Sequence, residues 1–241
     1  MQLALEAPTK LLEMVYDFAD FDWVLAHKVL EDEEYKKFYK GSKRVKFIDN
    51  SVNEKGEPLS LEVLKEVFEE VEGTYIVAPD WIGKEKETLE AFGKCVETFG
   101  RERTVGVVQG SSFKEAFECV QVYGKGMVAV PYDICSSKED PPWLMGLRRA
   151  LVTTHIPNDR YVHLLGFDSI DEFYWYVGKS HIVSIDTGIP VLLGMREEDI
   201  LDPLKDKKQP TLNQADEIEL TQTGWTAICR NIALLRKYLV Q

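Results

Sequence analysis

Carboxylates and amides recur just after short apolar runs: Asp17, Asp49 with Asn50, Asp80, Gln109 with Gly110, and Asp186. Two carboxylates facing a sugar ring can run glycosyl chemistry. One attacks the anomeric carbon, and the other manages a proton or recognises the leaving group. The transition state is oxocarbenium-like, so a nearby carboxylate stabilises it electrostatically. A covalent intermediate then lets one group leave before another enters. Spacing alone does not choose between base exchange and sugar hydrolysis. Nor does a single acid of this kind make a site, because Asp and Asn after a strand also cap helices and make turns. It is the set, in one relative position, that points to a site. No HxH, HExxH or Cys/His cluster accompanies it, so no metal is expected. No P-loop, GxGxxG or GxSxG motif is present, and no cofactor is expected. Of the four histidines, His163 falls inside a strand candidate and is expected to line the core rather than act. His27, in the segment DWVLAHK, is within reach of the same strand ends.

The elements that must position these residues alternate along the chain. Short runs rich in Val, Ile and Tyr at 11–16, 45–48, 74–78, 104–108, 127–130, 161–165 and 182–185 read as buried parallel strands. Helical stripes lie between them, such as Leu61, Leu64, Val67, Phe68 and Val71, or Phe113, Ala116, Phe117, Val120 and Tyr123. Ser112 with Glu115, and Ser169 with Glu172, fit capping boxes. The steps recur at roughly 20–35 residues, a spacing suited to βα units. The run at 2–6 is the candidate for the eighth strand that closes a barrel. The expected fold class is α/β, a single (β/α)8 barrel of the TIM type spanning 1–241. An open doubly wound sheet is the runner-up. In a barrel the strand ends converge on one mouth, where active sites sit. The stretch from about 202 to 216 reads as loop. Residues 223–240 read as a final helix with Trp225, Ile228, Ile232, Leu235 and Leu239 near one face.

The 241 residues are 44% hydrophobic and 29% charged, enough for a sizeable core. The formal net charge of −12 argues against a protein coated for phosphate binding, so local patches matter more than the sum. The densest patch holds Lys36, Lys37, Lys40, Lys43 and Arg44, followed by Lys46. Smaller clusters are Arg101/Arg103, Arg148/Arg149 and Lys205/Lys207/Lys208. Cys95, Cys119, Cys135 and Cys229 form no CxxC pair or regular framework, as expected of free thiols in a reducing compartment. No signal peptide or apolar run of about 18 residues is present, so a cytoplasmic protein without a membrane span is expected.

The ordered strand ends resemble the tRNA-guanine transglycosylase superfamily, and most closely its short phage and bacterial DNA-guanine transglycosylases of the DpdA type. TVGVVQG at 104–110 is similar to that family's GIVQG strand, and MVAVPYD at 127–133 to the strand whose backbone holds the base. RYVHLLGF at 160–167 resembles the RYLMGVG segment, and HIVSIDTGIP at 181–190 the strand carrying the nucleophilic aspartate. Order and spacing match over about residues 45–195. The resemblance implies that Asp186 attacks C1′. By FIDNS at 47–51, Asp49 handles proton transfer near the base, with Asn50 beside it. By APDWIG at 78–83, Asp80 accepts from purine N–H groups. Gln109 and Gly110 would meet the carbonyl edge, while Val130, Leu165 and Gly166 would offer backbone contacts or pocket walls. Phe18, Trp23, Trp81 or Tyr132 could stack on the base, the alternative being that these strand-end aromatics pack in the core.

Two departures shape the expectation. The family's CxCxxC…H zinc site is missing, since only Cys229 and no His follows Asp186, and DNSVNEKGE replaces the DSGGFQ loop. The resemblance therefore points to a glycosyltransferase that exchanges guanine in DNA for a 7-deazaguanine such as preQ0, through a covalent Asp186–sugar intermediate. In a phage-encoded member it would act in the host cytoplasm. Its target nucleotide would be flipped out of the duplex or already unstacked, with Lys36, Lys37, Lys40, Lys43 and Arg44 on the backbone. Helper proteins or a homo-oligomer are compatible with this reading. The alternatives are a tRNA-guanine transglycosylase, a non-catalytic purine- or nucleic-acid-binding partner subunit, and an unrelated barrel whose strand-end acids are caps.

Overall fold

Strands and helices alternate along the chain, and all eight strands are parallel. The structure is a computed structural model that describes residues 1–137, 139–167, 169–201 and 212–240. The strands are β1 (Gln2–Leu5), β2 (Asp22–Leu25), β3 (Lys46–Asp49), β4 (Tyr75–Val77), β5 (Thr104–Val107), β6 (Val128–Pro131), β7 (Val162–Leu165) and β8 (Ile182–Thr187). The first helices are α1 (Leu12–Val15), α2 (Ala26–Glu31), α3 (Glu33–Gly41), α4 (Val52–Lys55), α5 (Leu61–Glu70) and α6 (Glu85–Phe99). They are followed by α7 (Phe113–Tyr123), α8 (Pro142–His155), α9 (Ile189–Met195), α10 (Leu212–Ala215) and α11 (Gln222–Leu239). A 3-10 segment, Ile170–Tyr176, takes the helix position between β7 and β8.

The hydrogen-bonded order is β1-β8-β7-β6-β5-β4-β3-β2. At the remaining seam, the Asp20 N–H donates to the Leu3 carbonyl at 2.7 Å, and the Leu3 N–H donates to Asp20 Oδ2 at 2.8 Å. The result is a nearly closed (β/α)8 barrel, as the alternating pattern requires.

One strand differs from the sequence reading. The run at 11–16 is helical: its buried residues Leu11, Leu12 and Val15 lie on one face, at helical rather than alternating spacing. Asp17 therefore ends no strand. It stands exposed on a 3-10 turn, 3.6 Å from Arg44. The strand in its place is DWVL, buried at all four positions, whose first residue is a buried acid. The run at 2–6 does supply the closing strand, over Gln2–Leu5.

Two other local readings change. Ser112 Oγ accepts from Glu115 N, but Glu115 reaches back to Ser111 N rather than to Ser112. The Glu172 carboxylate is drawn inward to Arg149. The final helix forms as α11. Within the expected loop at 202–216, residues 202–211, with Lys205, Lys207 and Lys208, lie outside the described residues, and Leu212–Ala215 is helical. Among the described residues no helix is long and apolar enough to cross a membrane.

Parallel register fixes which side chains point inward, since strand side chains alternate. Phe47 pairs with Trp23 and Tyr75, Ala129 with His163, and His163 with Ser184. Four rings make a stacked series across the barrel: His163 on Trp23 (4.5 Å between centroids, 12°), Trp23 on Phe47 (5.8 Å, 21°) and Phe47 on Tyr75 (4.7 Å, 29°). This aromatic floor fills the barrel and leaves the space above it open. On the outer face, Gly106 lets Tyr123 of α7 lie against β5, where its hydroxyl donates to the Val107 carbonyl at 2.5 Å.

Candidate active site

A cavity of about 550 Å³ opens above the aromatic floor, at the C-terminal ends of the strands. Six carboxylates line it: Glu6, Asp49, Glu54, Asp80, Asp133 and Asp186. Gln109, Trp23, Tyr132, Leu165, Gly166 and Phe167 complete much of its wall, and among the described residues none that line it is Lys, Arg or His. A low-dielectric cleft of one sign concentrates its field. This cleft repels free phosphate or carboxylate and favours a neutral or cationic ligand rich in N–H donors.

Asp186 sits near the end of β8 and is almost fully buried. It caps nothing: the next helix uses Thr187 Oγ1, which accepts from Ile189 N at 3.1 Å. Instead, Asp186 Oδ1 lies 2.8 Å from His163 Nε2, and His163 Nδ1 lies 2.8 Å from Ser184 Oγ. A carboxylate only accepts, so Nε2 carries a proton and donates. Stacking on Trp23 fixes the plane of the imidazole and thereby the aim of that bond. His163 is fully buried and Ser184 nearly so. Ser184 is the inner end of the series, and of the three only Asp186 lines the cavity. The arrangement presents a carboxylate, not a serine nucleophile.

Asp49 combines both readings of a strand-end acid. Its Oδ2 accepts from Ser51 N at 2.8 Å, closing a turn in which Ser51 takes a left-handed conformation (φ 63°). Its side chain still lines the cavity. Burial, with Glu54, Asp186 and Asp80 nearby, pushes its carboxyl well above the usual range and favours its protonated form.

Asp80 is held on both sides. Asn50 Nδ2 donates to Oδ1 and Gln109 Nε2 to Oδ2, each at 2.7 Å. Asn50 also donates to the Ala78 carbonyl, and Gln109 Oε1 accepts from Gly83 N at 3.0 Å. These bonds fix the orientation of both amides. Burial raises the Asp80 carboxyl to about 6, against the pull of the two amide donors.

The remaining expected residues divide. Leu165 and Gly166 line the cavity, and their carbonyls accept from Arg149 Nη1 of α8 at 2.9 and 2.7 Å. Arg149 is completely buried and paired with Glu172, so this cation braces the β7 end. Asn50 acts from behind Asp80. Gly110 packs against the first turn of α7, where a Cβ would stand 2.9 Å from Ala116 N. Val130 has outward parity and belongs to the core between sheet and helices. Of the aromatic candidates, Trp23 and Tyr132 reach the cavity, whereas Phe18 and Trp81 are not in its lining. His27 is buried on α2 with Nδ1 unpartnered, and burial holds it down to about 4. It too is absent from the lining.

The basic stretch lies elsewhere. It runs along α3, which leads from the mouth side back to the start of β3, so Lys40, Lys43 and Arg44 lie towards the N-terminal end of the barrel while Lys36 and Lys37 lie nearer the helix start, and none of the five lines the cavity. Lys36 pairs with Glu33, and Lys40 with Glu70. Arg44 donates to the Tyr16 and Ala19 carbonyls, ahead of β2. Lys37 and Lys43 belong to the same segment. The mouth therefore does not bring Lys36, Lys37, Lys40, Lys43 and Arg44 together with Asp186.

Three mouth acids, Glu6, Glu54 and Asp133, were not singled out from sequence. Glu6 is the last residue of the 2–6 strand candidate, and Glu54 sits in a segment that reads as loop. Asp133 closes the quoted MVAVPYD segment, which was the one signal available. Among the described residues no three of His, Cys, Asp and Glu are grouped so as to hold a metal ion. No protein-family model matches the chain, and no curated protein matches it. Fold and site together define a (β/α)8 barrel with a carboxylate-lined cavity at its mouth.

Proposed function

We propose that this barrel is a DNA-guanine transglycosylase that replaces guanine with a 7-deazaguanine through an Asp186–sugar ester. The observation that carries the reading is convergence: Asp186, Asp49, Asp80 and Gln109 line one cavity. Its volume is of the size used for small ligands.

In this reading an Asp186 oxygen attacks C1′ as the bond from C1′ to the guanine nitrogen breaks. The electron pair of that bond leaves with guanine, and the proton held by Asp49 passes to the departing base. The incoming base then attacks C1′ through its own N–H nitrogen. Its proton returns to Asp49, and the ester bond to Asp186 breaks. Asp80 accepts from the donor edge of the base, and the second amide hydrogen of Gln109 is free for the base carbonyl. The anionic cavity suits such an edge and excludes phosphate, so backbone phosphates would stay on the rim. Lys84 and Lys114, which follow β4 and β5 on the mouth side, are better placed for them than the α3 stretch.

Exchange of labelled guanine into DNA and into tRNA tests the substrate. Label should enter DNA. Entry into tRNA alone would assign the chain to tRNA instead, and binding of guanine without exchange into either would make it a non-catalytic partner.

A further inference from the structure

Glu6 is the first residue beyond β1, and its place is set by the β1–β8 ladder. Ala4 pairs with Asp186 and Leu5 with Thr187, and the Glu6 N–H continues the ladder by donating to the Thr187 carbonyl at 3.0 Å. Alternation gives Gln2, Ala4 and Glu6 the inward parity of Ser184 and Asp186. Glu6 and Asp186 thus enter the same cavity from neighbouring strands, and their carboxyl groups are within hydrogen-bonding reach of each other.

Two carboxyl groups that close cannot both be ionised, so one proton is held between them. Its place follows from the surroundings. His163 donates to Asp186 Oδ1 and stabilises charge there. The other titratable groups facing Glu6 are Asp49 of β3, Glu54 of α4, and the phenols of Tyr35 and Tyr39 on α3. All of these are acidic or neutral. Desolvation and the surrounding carboxylates raise the Glu6 carboxyl well above its ordinary range.

We propose that Glu6 is a positioning residue that donates, as a neutral carboxylic acid, to Asp186 and holds the nucleophile between itself and His163. The proposal rests on the transglycosylase reading of Asp186. Glu6 forms no bond to the sugar. It supplies a second donor to the attacking carboxylate, and its ionisation at higher pH would remove that donor and set a like charge beside Asp186.

The test follows adduct formation on guanine-containing DNA from about pH 5 to about pH 9, in wild type, Glu6→Gln and Glu6→Ala. It adds carbon-13 carboxyl NMR titration of Glu6 in wild type and Asp186→Asn. Gln keeps a donor of similar reach, so Glu6→Gln should stay within about threefold of wild type near pH 6 and lose the part of the alkaline fall in rate that Glu6 ionisation causes, leaving the part due to Asp49. Glu6→Ala should be about tenfold slower or more, the size of a lost hydrogen bond to a charged group. Glu6 should titrate above the ordinary carboxylate range in wild type, and about one pH unit or more lower in Asp186→Asn. A wild type that forms adduct but shows an ordinary Glu6 titration, or a Glu6→Gln as slow as Glu6→Ala, overturns the Glu6 proposal alone. A wild type that forms no adduct overturns the transglycosylase reading, and with it the assignment of Glu6 to that nucleophile.

Discussion

His163 Nε2 lies 2.8 Å from Asp186 Oδ1, and the imidazole that makes this bond is stacked on Trp23 beneath the cavity. The aromatic floor therefore does more than fill the barrel, because it aims the donor that orients the proposed nucleophile. Replacing His163 with Phe would keep a ring on Trp23 and delete the donor. A hydrogen bond to a charged group is worth about 1.5–3 kcal/mol. His163→Phe should therefore slow adduct formation by about tenfold to a hundredfold, and it should also lower the unfolding midpoint, because Asp186 and Ser184 are left buried without that partner. A variant with the wild-type rate would show that His163 is packing alone.

Asp80 should make base binding depend on pH. Its carboxyl titrates at about 6 in the fold, and only the ionised form accepts from two purine donors. Guanine should bind more tightly as pH rises from about 5 to about 7, and Asp80→Asn should lose that dependence. Stability runs the other way. The folded value lies above the unfolded value near 4, so stability present below about pH 4 is lost as pH rises towards about 6. Relative to Asp80→Asn, wild type should lose roughly 2–3 kcal/mol over that interval, read from urea midpoints.

The βα alternation was legible because buried parallel strands are short apolar runs. Asp49, Asp80, Gln109 and Asp186 were legible because they follow such runs. The failures have physical causes. The run at 11–16 has strand composition, but its buried positions are spaced for a helix, while DWVL begins with an acid that ends up buried. Glu6 and Glu54 reach the mouth through the β1–β8 register and a short turn helix, and neither leaves a motif. Which end of the barrel the lysines occupy depends on where α3 stops, a matter of topology rather than composition.

That last point gives a prediction opposed to the first expectation from charge. Replacing Lys40 and Lys43 together with Ala should leave DNA affinity within about twofold, since they lie towards the end of the barrel away from the mouth. Lys84→Ala with Lys114→Ala should weaken binding and lower its salt dependence by about one to two counterions. Filter binding across a salt series separates the two outcomes, and a larger loss from the α3 variant would place DNA at the other end of the barrel.

Arg149 and Glu172 form a buried pair at the β7 end of the cavity. Arg149→Met leaves Glu172 buried without its cation and should cost about 3–5 kcal/mol. Adding Glu172→Leu should recover most of that loss, because the uncompensated charge is then gone. Chemical denaturation of the single and double variants measures this directly. A double variant no more stable than the single would mean that Arg149 acts mainly through the Leu165 and Gly166 carbonyls.

The central claim is that Asp186 bonds covalently to the sugar. Wild type trapped with guanine-containing DNA, digested and sequenced by mass spectrometry tests it most directly. The account predicts a sugar-linked mass on the peptide containing Asp186, absent in Asp186→Asn. A linkage mapped to any other residue, or one that persists in Asp186→Asn, would contradict it.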